Sequence, residues 1–293
     1  VHVTLVPFIE AAGELKTKPT QHSVSALREI GIQPHVIICR TGTHELGADQ
    51  QRKIAMFCNV TEDAIIGAAD VSPVYAIPLN FHRQGFDDTV LRRLGIEAPA
   101  PELGAWESMV EKIVHPKSEV RIAAIGKYID HDDAYKSINE AFVHAGVAND
   151  CRVKLEWIDS ETFENGSLPD ARLSSFDGIV VGPGFGSRGI EGKIRAVNYA
   201  RTSKKPFFGI CLGMQIAVIE MARNCLGLAK ANSTEFDLDT PDPVISLLSE
   251  QRGVRDMGGT MRLGAYRCQL KPGTKAFTAY GEDVVEERHR HRY

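Results

Sequence analysis

Short apolar segments alternate with helical patterns along most of this chain. An apolar stretch at residues 1–9 precedes a polar loop near the N-terminus. Val24, Leu27 and Ile30 then recur at the spacing of one helix face. A second apolar segment follows at residues 36–39. A strand, a helix and another strand in this order predict a parallel βαβ unit.

The pattern continues to residue 96 and is followed by a different kind of segment. We predict a helix at residues 52–58, a strand at 64–66 and a helix at 87–94. Residues 97–119 contain three prolines around one short helical pattern, which is typical of a connector. The sequence therefore predicts a first domain at residues 1–96 and an interdomain linker after it.

Strand and helix patterns alternate again beyond the linker. Strands are predicted at residues 120–125, 153–158, 178–181 and 206–210, and helices at 135–145, 190–200 and 212–224. This alternation predicts that residues 120–293 form a second domain and that the chain is α/β, with two doubly wound, mostly parallel sheets. The tail from Met261 onward has short extended pieces separated by Gly and Pro, which predicts antiparallel strands added at the sheet edge.

Composition and charge favour a globular protein and disfavour several other classes. The 293 residues suffice for two domains of about 150 residues each. Hydrophobic residues make up 43% and charged residues 25% of the chain, close to the average of soluble proteins. The formal net charge of −4 argues against extended nucleic-acid binding. Every apolar run is far shorter than the roughly 18 residues that a membrane span requires, so we expect no membrane association.

The cysteines indicate the cellular compartment, and the first residue indicates where in a polypeptide the sequence begins. Six cysteines are scattered without a CxxC pair, which predicts reduced thiols and a cytoplasmic protein. The chain begins with Val1 and has no signal-peptide pattern. We therefore expect it to begin inside a longer polypeptide.

The most informative segment lies at residues 205–215, where an apolar strand pattern meets a helix pattern at Cys211. Gly209 and Gly213 flank this cysteine at the spacing of a nucleophile elbow, in which residues without a Cβ let a strand and a helix cross closely. The helix N-terminus would favour the thiolate, and the N–H of Leu212 could bind an oxyanion. Cys211 is therefore the predicted nucleophile. A small buried core residue is the alternative.

A glycine-rich segment at residues 182–189, called the glycine loop below, follows another predicted strand. Gly184, Gly186 and Gly189 match the GxGxxG fingerprint of dinucleotide-binding proteins. That fingerprint also requires an acidic residue about 20 positions later, at the end of the next strand, where this chain has Cys211. The cofactor interpretation is therefore disfavoured. The backbone amides of the loop could instead supply a second oxyanion donor.

These segments and several others resemble a known family. The sequences at residues 182–186 and 209–215 resemble those of class I, or triad, glutamine amidotransferases, whose domain is flavodoxin-like. Further motifs are similar to one family within this class, the CTP synthases, and lie at residues 188–192, 232–237, 258–264 and 287–293. The resemblance covers both predicted domains.

The resemblance implies a cytoplasmic, homotetrameric ligase of pyrimidine biosynthesis. In this family, a cysteine attacks the side-chain amide of L-glutamine and releases ammonia through a thioester. ATP phosphorylates O4 of UTP with Mg²⁺ as cofactor, and ammonia displaces the phosphate to give CTP. GTP is implied as an activator and CTP as a feedback inhibitor. No redox cofactor is expected, and no metal ligand is assigned to this chain.

The resemblance also assigns residues to sites. The glutamine-binding positions are Gly184, Leu212, Gly213, Met214, Gln215, Glu235 and Arg292. The positions implied for UTP or CTP are Lys16, Thr17, Lys18, Pro19, Thr20, Gln21 and Lys53. Contacts to ATP are implied for Asp70 and Val71, and contacts to GTP for Arg188, Gly189 and Glu191.

Simpler interpretations of some of these residues stay open. Residues 16–21, called the lysine loop below, place two lysines beside a predicted helix N-terminus, which suits an anion. They could equally form an exposed capping loop with solvated lysines. Arg188 and Glu191 could form a surface ion pair, Glu235 could belong to a solvated acidic loop, and Arg292 could be a charge on a strand face.

Several departures from the family pattern limit the prediction. The chain has no Gly-x4-Gly-Lys-Ser/Thr motif. In the family, the phosphate loop and the magnesium carboxylates precede the position that corresponds to Val1, so we expect this chain to lack that part of the ATP site. The family's catalytic His and Glu follow the position that corresponds to Tyr293, so we expect this chain to lack them as well. Ala69 stands where the family often has a lysine near the adenine. His289 and His291 are alternative bases, but an alternating strand pattern is equally compatible with packing.

Two other functions therefore stay open. One is a different class I glutamine amidotransferase, although the lysine loop argues against it. The other is a catalytically inactive, glutaminase-like regulatory module.

Overall fold

The chain folds into two compact units. The computed structural model describes residues 1–127, 132–164, 169–251, 253–254 and 261–293. The first unit comprises Val1–Lys117 and Gly146–Cys151, and the second comprises Ser118–Ala145 and Arg152–Tyr293. Most of the segment that the sequence predicts as a linker thus belongs to the first unit.

The first unit has a small parallel sheet with helices on both faces. Its strands are β1 (His2–Leu5), β2 (Phe8–Ile9), β3 (Glu14–Leu15), β4 (Ile37–Gly42) and β5 (Ile65–Ala69). Its helices are α1 (Lys18–Glu29), α2 (Ala48–Cys58), α3 (Ile77–Arg83), α4 (Phe86–Leu94) and α5 (Gly104–Val114). The sheet has the order β1-β4-β5, and both neighbouring pairs are parallel, which confirms the predicted βαβ unit.

Two details of the first unit differ from the sequence prediction. The stretch at residues 1–9 is not one strand, because β2 leaves the sheet and pairs antiparallel with β3. The helix α3 was not predicted, and it is short and has proline in its first turn. A helix of this length gives too few periodic positions to be distinguished from a loop.

The core of the first unit lies on both faces of this sheet. Ile37 and Cys39 of β4 contact an apolar cluster that also contains Val24 of α1 and Ile54 of α2. Ile38, between them in sequence, belongs to a second cluster. Since successive residues of a strand point to opposite faces, β4 is covered on both sides, as expected for a doubly wound sheet.

The elements after residue 117 form a larger α/β arrangement. The strands are β6 (Ser118–Gly126), β7 (Cys151–Asp159), β8 (Gly178–Val181), β9 (Phe207–Gly209), β10 (Asn232–Ser233), β11 (Pro243–Ile245), β12 (Arg262–Gln269) and β13 (Val284–Arg290). The helices are α6 (Lys136–Asn149), α7 (Pro169–Leu173), α8 (Ile190–Thr202), α9 (Leu212–Cys225) and α10 (Lys275–Tyr280).

The main sheet of the second unit has the order β7-β6-β8-β9. The pairs β6–β8 and β8–β9 are parallel. Counted from its first strand, this is the order 2-1-3-4 of flavodoxin-like sheets, in which ligands bind beyond the carboxyl ends of the strands. The predicted α/β class is thus confirmed. Residues of β8, α8 and α9 share one buried apolar core, which includes Ile179, Val181, Ile194, Val197, Ile216 and Ile219.

The C-terminal strands pair with each other as predicted, but their sheet is separate from the main sheet. β12 and β13 form an antiparallel pair. In the described part of the chain this pair is a separate two-stranded sheet and does not extend the edge of the main sheet. Residues 258–260 of the predicted motif at 258–264 lie outside the described residues. Among the helices that are described, none is long and apolar enough to cross a membrane.

The start of α9 crosses the neighbouring strands at very short range. A Cβ on Gly213 would lie 2.0 Å from the carbonyl oxygen of Val181, at the end of β8. A Cβ on Gly209 would lie 2.6 Å from the backbone of Gly213. Distances this short do not occur between a Cβ and a non-bonded atom, so both positions require glycine.

We predict that Gly213→Ala destabilises the chain strongly. Its added methyl group would overlap backbone that cannot rotate away, and the free energy of unfolding should fall by about 3 kcal/mol. Thermal unfolding followed by circular dichroism measures the effect. Gly104→Ala is the matched control, because no heavy atom lies within 4 Å of its added Cβ. Equal melting temperatures of the two variants would contradict the close crossing.

Candidate active site

Three chain segments meet at the carboxyl edge of the main sheet. Lys127 directly follows β6, the glycine loop follows β8, and Cys211 follows β9 by two positions. Neighbouring parallel strands end at the same edge, so these segments face a common region. The candidate site is built from them.

The backbone of Cys211 is strained. This residue is the N-cap of α9 and has φ 55° and ψ −108°. A positive φ is uncommon for a residue with a side chain and costs of order 1–3 kcal/mol. The two flanking glycines predict such a sharp turn, and the side chain of Cys211 is half-buried rather than enclosed in the core.

The thiol of Cys211 is less acidic than the sequence predicts. Burial raises its pKa above the ordinary value, and the carboxylate of Glu235 acts in the same direction. The N–H of Leu212 and the ammonium of Lys193 lower the pKa. Because burial is the largest of these effects, the thiol is favoured over the thiolate. The N–H of Leu212 lowers the pKa, as the sequence predicts for the helix N-terminus, but burial outweighs this contribution.

Side chains from other segments hold the glycine loop. The ammonium of Lys127 donates hydrogen bonds to the carbonyl oxygens of Phe185 and Gly186, at 2.8 and 2.6 Å. The N–H of Gly186 donates to the carboxylate of Glu235 at 2.8 Å. Glu235 is thus placed at the glycine loop, as well as close enough to Cys211 to raise its pKa.

Of the other residues predicted to bind glutamine, Gly184 and Gln215 have contacts at or near the start of α9. A Cβ on Gly184 would lie 3.3 Å from the side chain of Leu212. Gln215 is buried, and its amide donates to the carbonyl oxygen of Tyr293 at 3.0 Å, so the end of the described chain lies beside α9. Arg292 is next to it in sequence, whereas Met214 is exposed.

His289 lies in β13, and His291 follows that strand, one position before Arg292. Their rings are 5.3 Å apart, and burial lowers the pKa of His291. Of the described residues, those that shift the pKa of Cys211 include neither His289 nor His291.

The residues implied for GTP have structural partners. Arg188 forms an ion pair with Glu161 at 3.1 Å and donates to the carbonyl oxygen of Lys127 at 2.9 Å. Glu191 instead pairs with Arg223 at 2.8 Å. The alternative interpretation of Arg188 and Glu191 as partners of each other is therefore wrong.

Gly189 is required by both conformation and space. Its φ is +71°, and a Cβ there would lie 2.1 Å from the hydroxyl oxygen of Ser160. Its position in the glycine loop is therefore explained by packing at the start of α8.

Lys193 is a site residue that the sequence analysis missed. Its side chain is fully buried in the second unit. Burial lowers its pKa to about 7, with a further contribution from Lys127. A signal was present in the sequence, because Lys193 lies on the helix face marked by Ile190, Ile194 and Val197, where an apolar residue is expected.

In the first unit, the lysine loop combines buried hydroxyls with exposed cations. Lys16 pairs with Glu14, and both Lys16 and Lys53 lower the pKa of that carboxyl, so the two lysines lie near each other. Lys18 and Pro19 are exposed at the start of α1.

The polar side chains of this loop are used within the fold. The hydroxyl of Thr20 is buried and donates to the carbonyl oxygen of Leu5 at 3.0 Å. The amide of Gln21 donates to the hydroxyl of Thr17 at 3.1 Å. These hydroxyls therefore position the loop, and the lysines are its exposed charges.

Asp70 and Val71, which follow β5, line a cavity that is also bordered by residues of β1, β4, β5 and α3. Its volume is about 670 Å³, within the range of small-molecule sites. Arg40 lies at its wall, 3.5 Å from the carboxylate of Asp70. In the described ranges, no group of three or more His, Cys, Asp or Glu side chains is arranged to hold a metal ion.

Comparisons with known proteins identify both halves of the chain. A family model described as "CTP synthase N-terminus" matches residues 1–96, and one described as "Glutamine amidotransferase class-I" matches residues 131–293. The glutaminase domain of a Trypanosoma brucei CTPS with bound acivicin has a similar structure. The TM-score is 0.54 at 39% sequence identity, and the match covers 59% of this chain and 67% of that one.

Curated relatives match the whole chain. A CTP synthase of Symbiobacterium thermophilum is 55% identical over 296 residues, and one of Geobacter metallireducens is 57% identical over 294 residues. Each match covers 100% of this chain and 54% of the relative. The chain thus spans about half the length of the curated relatives it matches. By both family models and these identities, the chain belongs to the CTP synthase family and includes the class I glutamine amidotransferase region.

Proposed function

We propose that this chain supplies the glutaminase site and part of the synthetase site of a glutamine-dependent CTP synthase. Because the chain spans 54% of its relatives, the proposed reaction is that of the full-length family protein. One observation carries the proposal for the glutaminase half. Cys211 is held in a strained conformation at the N-terminus of α9, beside the glycine loop.

In the proposed glutaminase reaction, the sulfur of Cys211 attacks the side-chain amide carbon of L-glutamine. The negative charge that develops on the amide oxygen would be stabilised by the N–H of Leu212 and by amides of the glycine loop. The carbon–nitrogen bond then breaks, the nitrogen takes up a proton and leaves as ammonia, and water hydrolyses the thioester to glutamate. Glu235 suits the α-ammonium group of glutamine, and Arg292 suits its α-carboxylate.

The first unit would contribute to UTP and ATP binding. Lys16, Lys18 and Lys53 supply the positive charge that a triphosphate requires. The cavity lined by Asp70 and Val71 would receive part of ATP. In the synthetase reaction, O4 of UTP takes the γ-phosphoryl group of ATP, and ammonia then displaces phosphate from C4 to give CTP. The proposal assigns no magnesium ligand to this chain.

The regulators and the assembly belong to the same proposal. We expect CTP to inhibit at the lysine loop, and the family protein to act as a homotetramer in the cytoplasm. GTP would act through Arg188, Gly189 and Glu191. The contact from Arg188 to the carbonyl of Lys127 supports this, because Lys127 holds the glycine loop.

A second candidate is a glutaminase-like module that binds glutamine without turnover. The raised pKa of Cys211 favours it, since the thiol is a weaker nucleophile than the thiolate. The two candidates differ in what Cys211 does, so substitution of this residue separates them.

The first prediction concerns a polypeptide with the full length of the CTP synthase relatives. Cys211→Ala should abolish glutamine-dependent CTP formation, because no thioester can form, and should retain CTP formation from added ammonia. Absorbance assays of CTP with each nitrogen source measure both. Glutaminase activity retained by this variant would remove Cys211 as the nucleophile. Absence of glutaminase activity in the unsubstituted protein would favour the inactive module.

Strain at Cys211 gives a second prediction. Glycine tolerates the observed φ of 55°, whereas alanine does not. The free energy of unfolding of the Cys211→Gly variant, measured in urea, should therefore be about 1 kcal/mol higher than that of the Cys211→Ala variant. Ala217→Gly, in the interior of α9, is the control, and it should lower the free energy of unfolding by about 1 kcal/mol. A Cys211→Ala variant as stable as Cys211→Gly would show that the turn carries no strain.

A third prediction concerns the lysine loop in the full-length family protein. Lys16→Ala should weaken UTP binding about tenfold, because one charge-assisted contact to phosphate is lost. Isothermal titration calorimetry gives the affinity. Lys117→Ala removes an exposed lysine outside the loop and should leave the affinity unchanged. If Lys16→Ala also leaves it unchanged, the loop is only an exposed cap.

A further inference from the structure

Lys127 is almost completely buried, with 3% of its surface exposed, and each of its polar groups has a partner. Its backbone N–H donates to the hydroxyl of Tyr135 at 3.1 Å, and its backbone carbonyl accepts from Arg188 at 2.9 Å. Its ammonium donates to the carbonyl oxygens of Phe185 and Gly186. Lys127 is thus held at both its backbone and its side chain, although it takes no part in the reaction steps proposed above.

The surroundings of Lys127 fix it further. Tyr135 is buried, and its ring stacks on that of Trp157, with the ring centroids 3.8 Å apart. The indole N–H of Trp157 donates to the side chain of Asn139, on α6, at 2.9 Å. The apolar stem of Lys127 lies beside the glycine loop, because a Cβ on Gly184 would be 3.6 Å from its Cδ. The ammonium group is therefore presented to the loop from a rigid support.

One peptide group of the glycine loop lies between Lys127 and Glu235. This is the peptide that joins Phe185 to Gly186. Its carbonyl accepts from Lys127 at 2.8 Å, and its N–H donates to the carboxylate of Glu235, also at 2.8 Å. In a planar trans peptide the carbonyl and the N–H point in opposite directions, so a cation that fixes the carbonyl also fixes the direction of the N–H. The two charged groups polarise this peptide, which strengthens both hydrogen bonds.

The same arrangement orients the carboxylate of Glu235. One of its oxygens accepts from the N–H of Gly186, and among the described residues no hydrogen-bond donor contacts the other oxygen. That second oxygen can accept from a cationic group of a ligand, and the α-ammonium group of glutamine is such a group. Burial lowers the pKa of Lys127, and Glu235 raises it, as expected for a cation and a carboxylate on either side of one peptide.

We propose that Lys127 is a positioning residue for glutamine binding. It orients the peptide between Phe185 and Gly186, and the N–H of that peptide orients Glu235 towards the α-ammonium group of the substrate. The inference rests on the proposed function, in which Glu235 binds this ammonium group. Because Lys127 acts through Glu235, its loss should weaken the contact to the α-ammonium group and leave the contacts to the rest of glutamine unchanged.

The test compares two ligands in a protein that cannot turn them over. It uses a polypeptide with the full length of the CTP synthase relatives that carries Cys211→Ala. The ligands are L-glutamine and glutaramate, which is glutamine without its α-amino group. Isothermal titration calorimetry gives the affinity for glutamine, and competition with glutamine gives the weaker affinity for glutaramate. Circular dichroism shows whether each variant is folded.

We expect Lys127→Met, which keeps an apolar stem, to weaken glutamine binding about tenfold and to leave glutaramate binding unchanged. In a protein that already carries Glu235→Gln, the same substitution should have no further effect, because the two residues act through one contact. Lys205→Met is the matched control. Lys205 also donates to two backbone carbonyls, but it lies at the other end of β9 from Cys211, so both affinities should stay unchanged.

Three results would contradict the proposal in different ways. Equal affinities for glutamine with and without Lys127→Met would overturn the role of Lys127 alone. An equal loss for both ligands would also overturn it, because it would show a general disturbance of the loop. If the protein that retains Lys127 binds glutamine no better than glutaramate, Glu235 does not hold the α-ammonium group, and both the proposed glutamine site and this inference are wrong.

A second variant covers the case in which Lys127→Met does not fold. Tyr135→Phe removes the acceptor of the Lys127 backbone N–H and keeps the ring that stacks on Trp157. It should weaken glutamine binding about threefold and leave glutaramate binding unchanged. An unchanged affinity for glutamine in this variant would overturn the proposal.

Discussion

The close crossing of α9 over the ends of β8 and β9 is the constraint on which the candidate site depends. The backbone of Gly213 lies so near the carbonyl oxygen of Val181 that no Cβ fits. This crossing leaves Cys211 at a positive φ, between a strand and a helix that are both anchored in the core. Strain persists only where the surroundings determine the conformation. The shared core of α8 and α9 provides those surroundings.

Desolvation is the electrostatic consequence of this packing. The thiol of Cys211 becomes harder to ionise, because burial removes water that would solvate the thiolate. Two lysines lie in the same region: Lys127 bonds to carbonyls of the glycine loop, and Lys193 is buried behind it. The site thus combines an apolar setting, which raises the cost of charge, with the backbone N–H of Leu212, which reduces that cost for negative charge on the sulfur.

Both units have candidate-site residues in loops that follow parallel strands. In the first unit, Asp70 follows β5 and lines a cavity of about 670 Å³. In the second, Cys211 follows β9. The common physical reason is that loops following such strands lead into helices, whose first turns have free N–H groups for negatively charged ligands. The lysine loop, which includes the first turn of α1, adds cationic side chains to such a helix end.

The order of strands and helices, the turn at Cys211 and the glycine loop could be predicted from the sequence, because each depends on residues that are close in the chain. The separate position of β12 and β13, the pairing of Arg188 with Glu161 and the contact between Glu235 and Gly186 could not. These join segments far apart in sequence. For the same reason, only the tertiary structure decided the direction of the Cys211 pKa, since it is set by how much water the fold removes around the sulfur and by which charges it brings there.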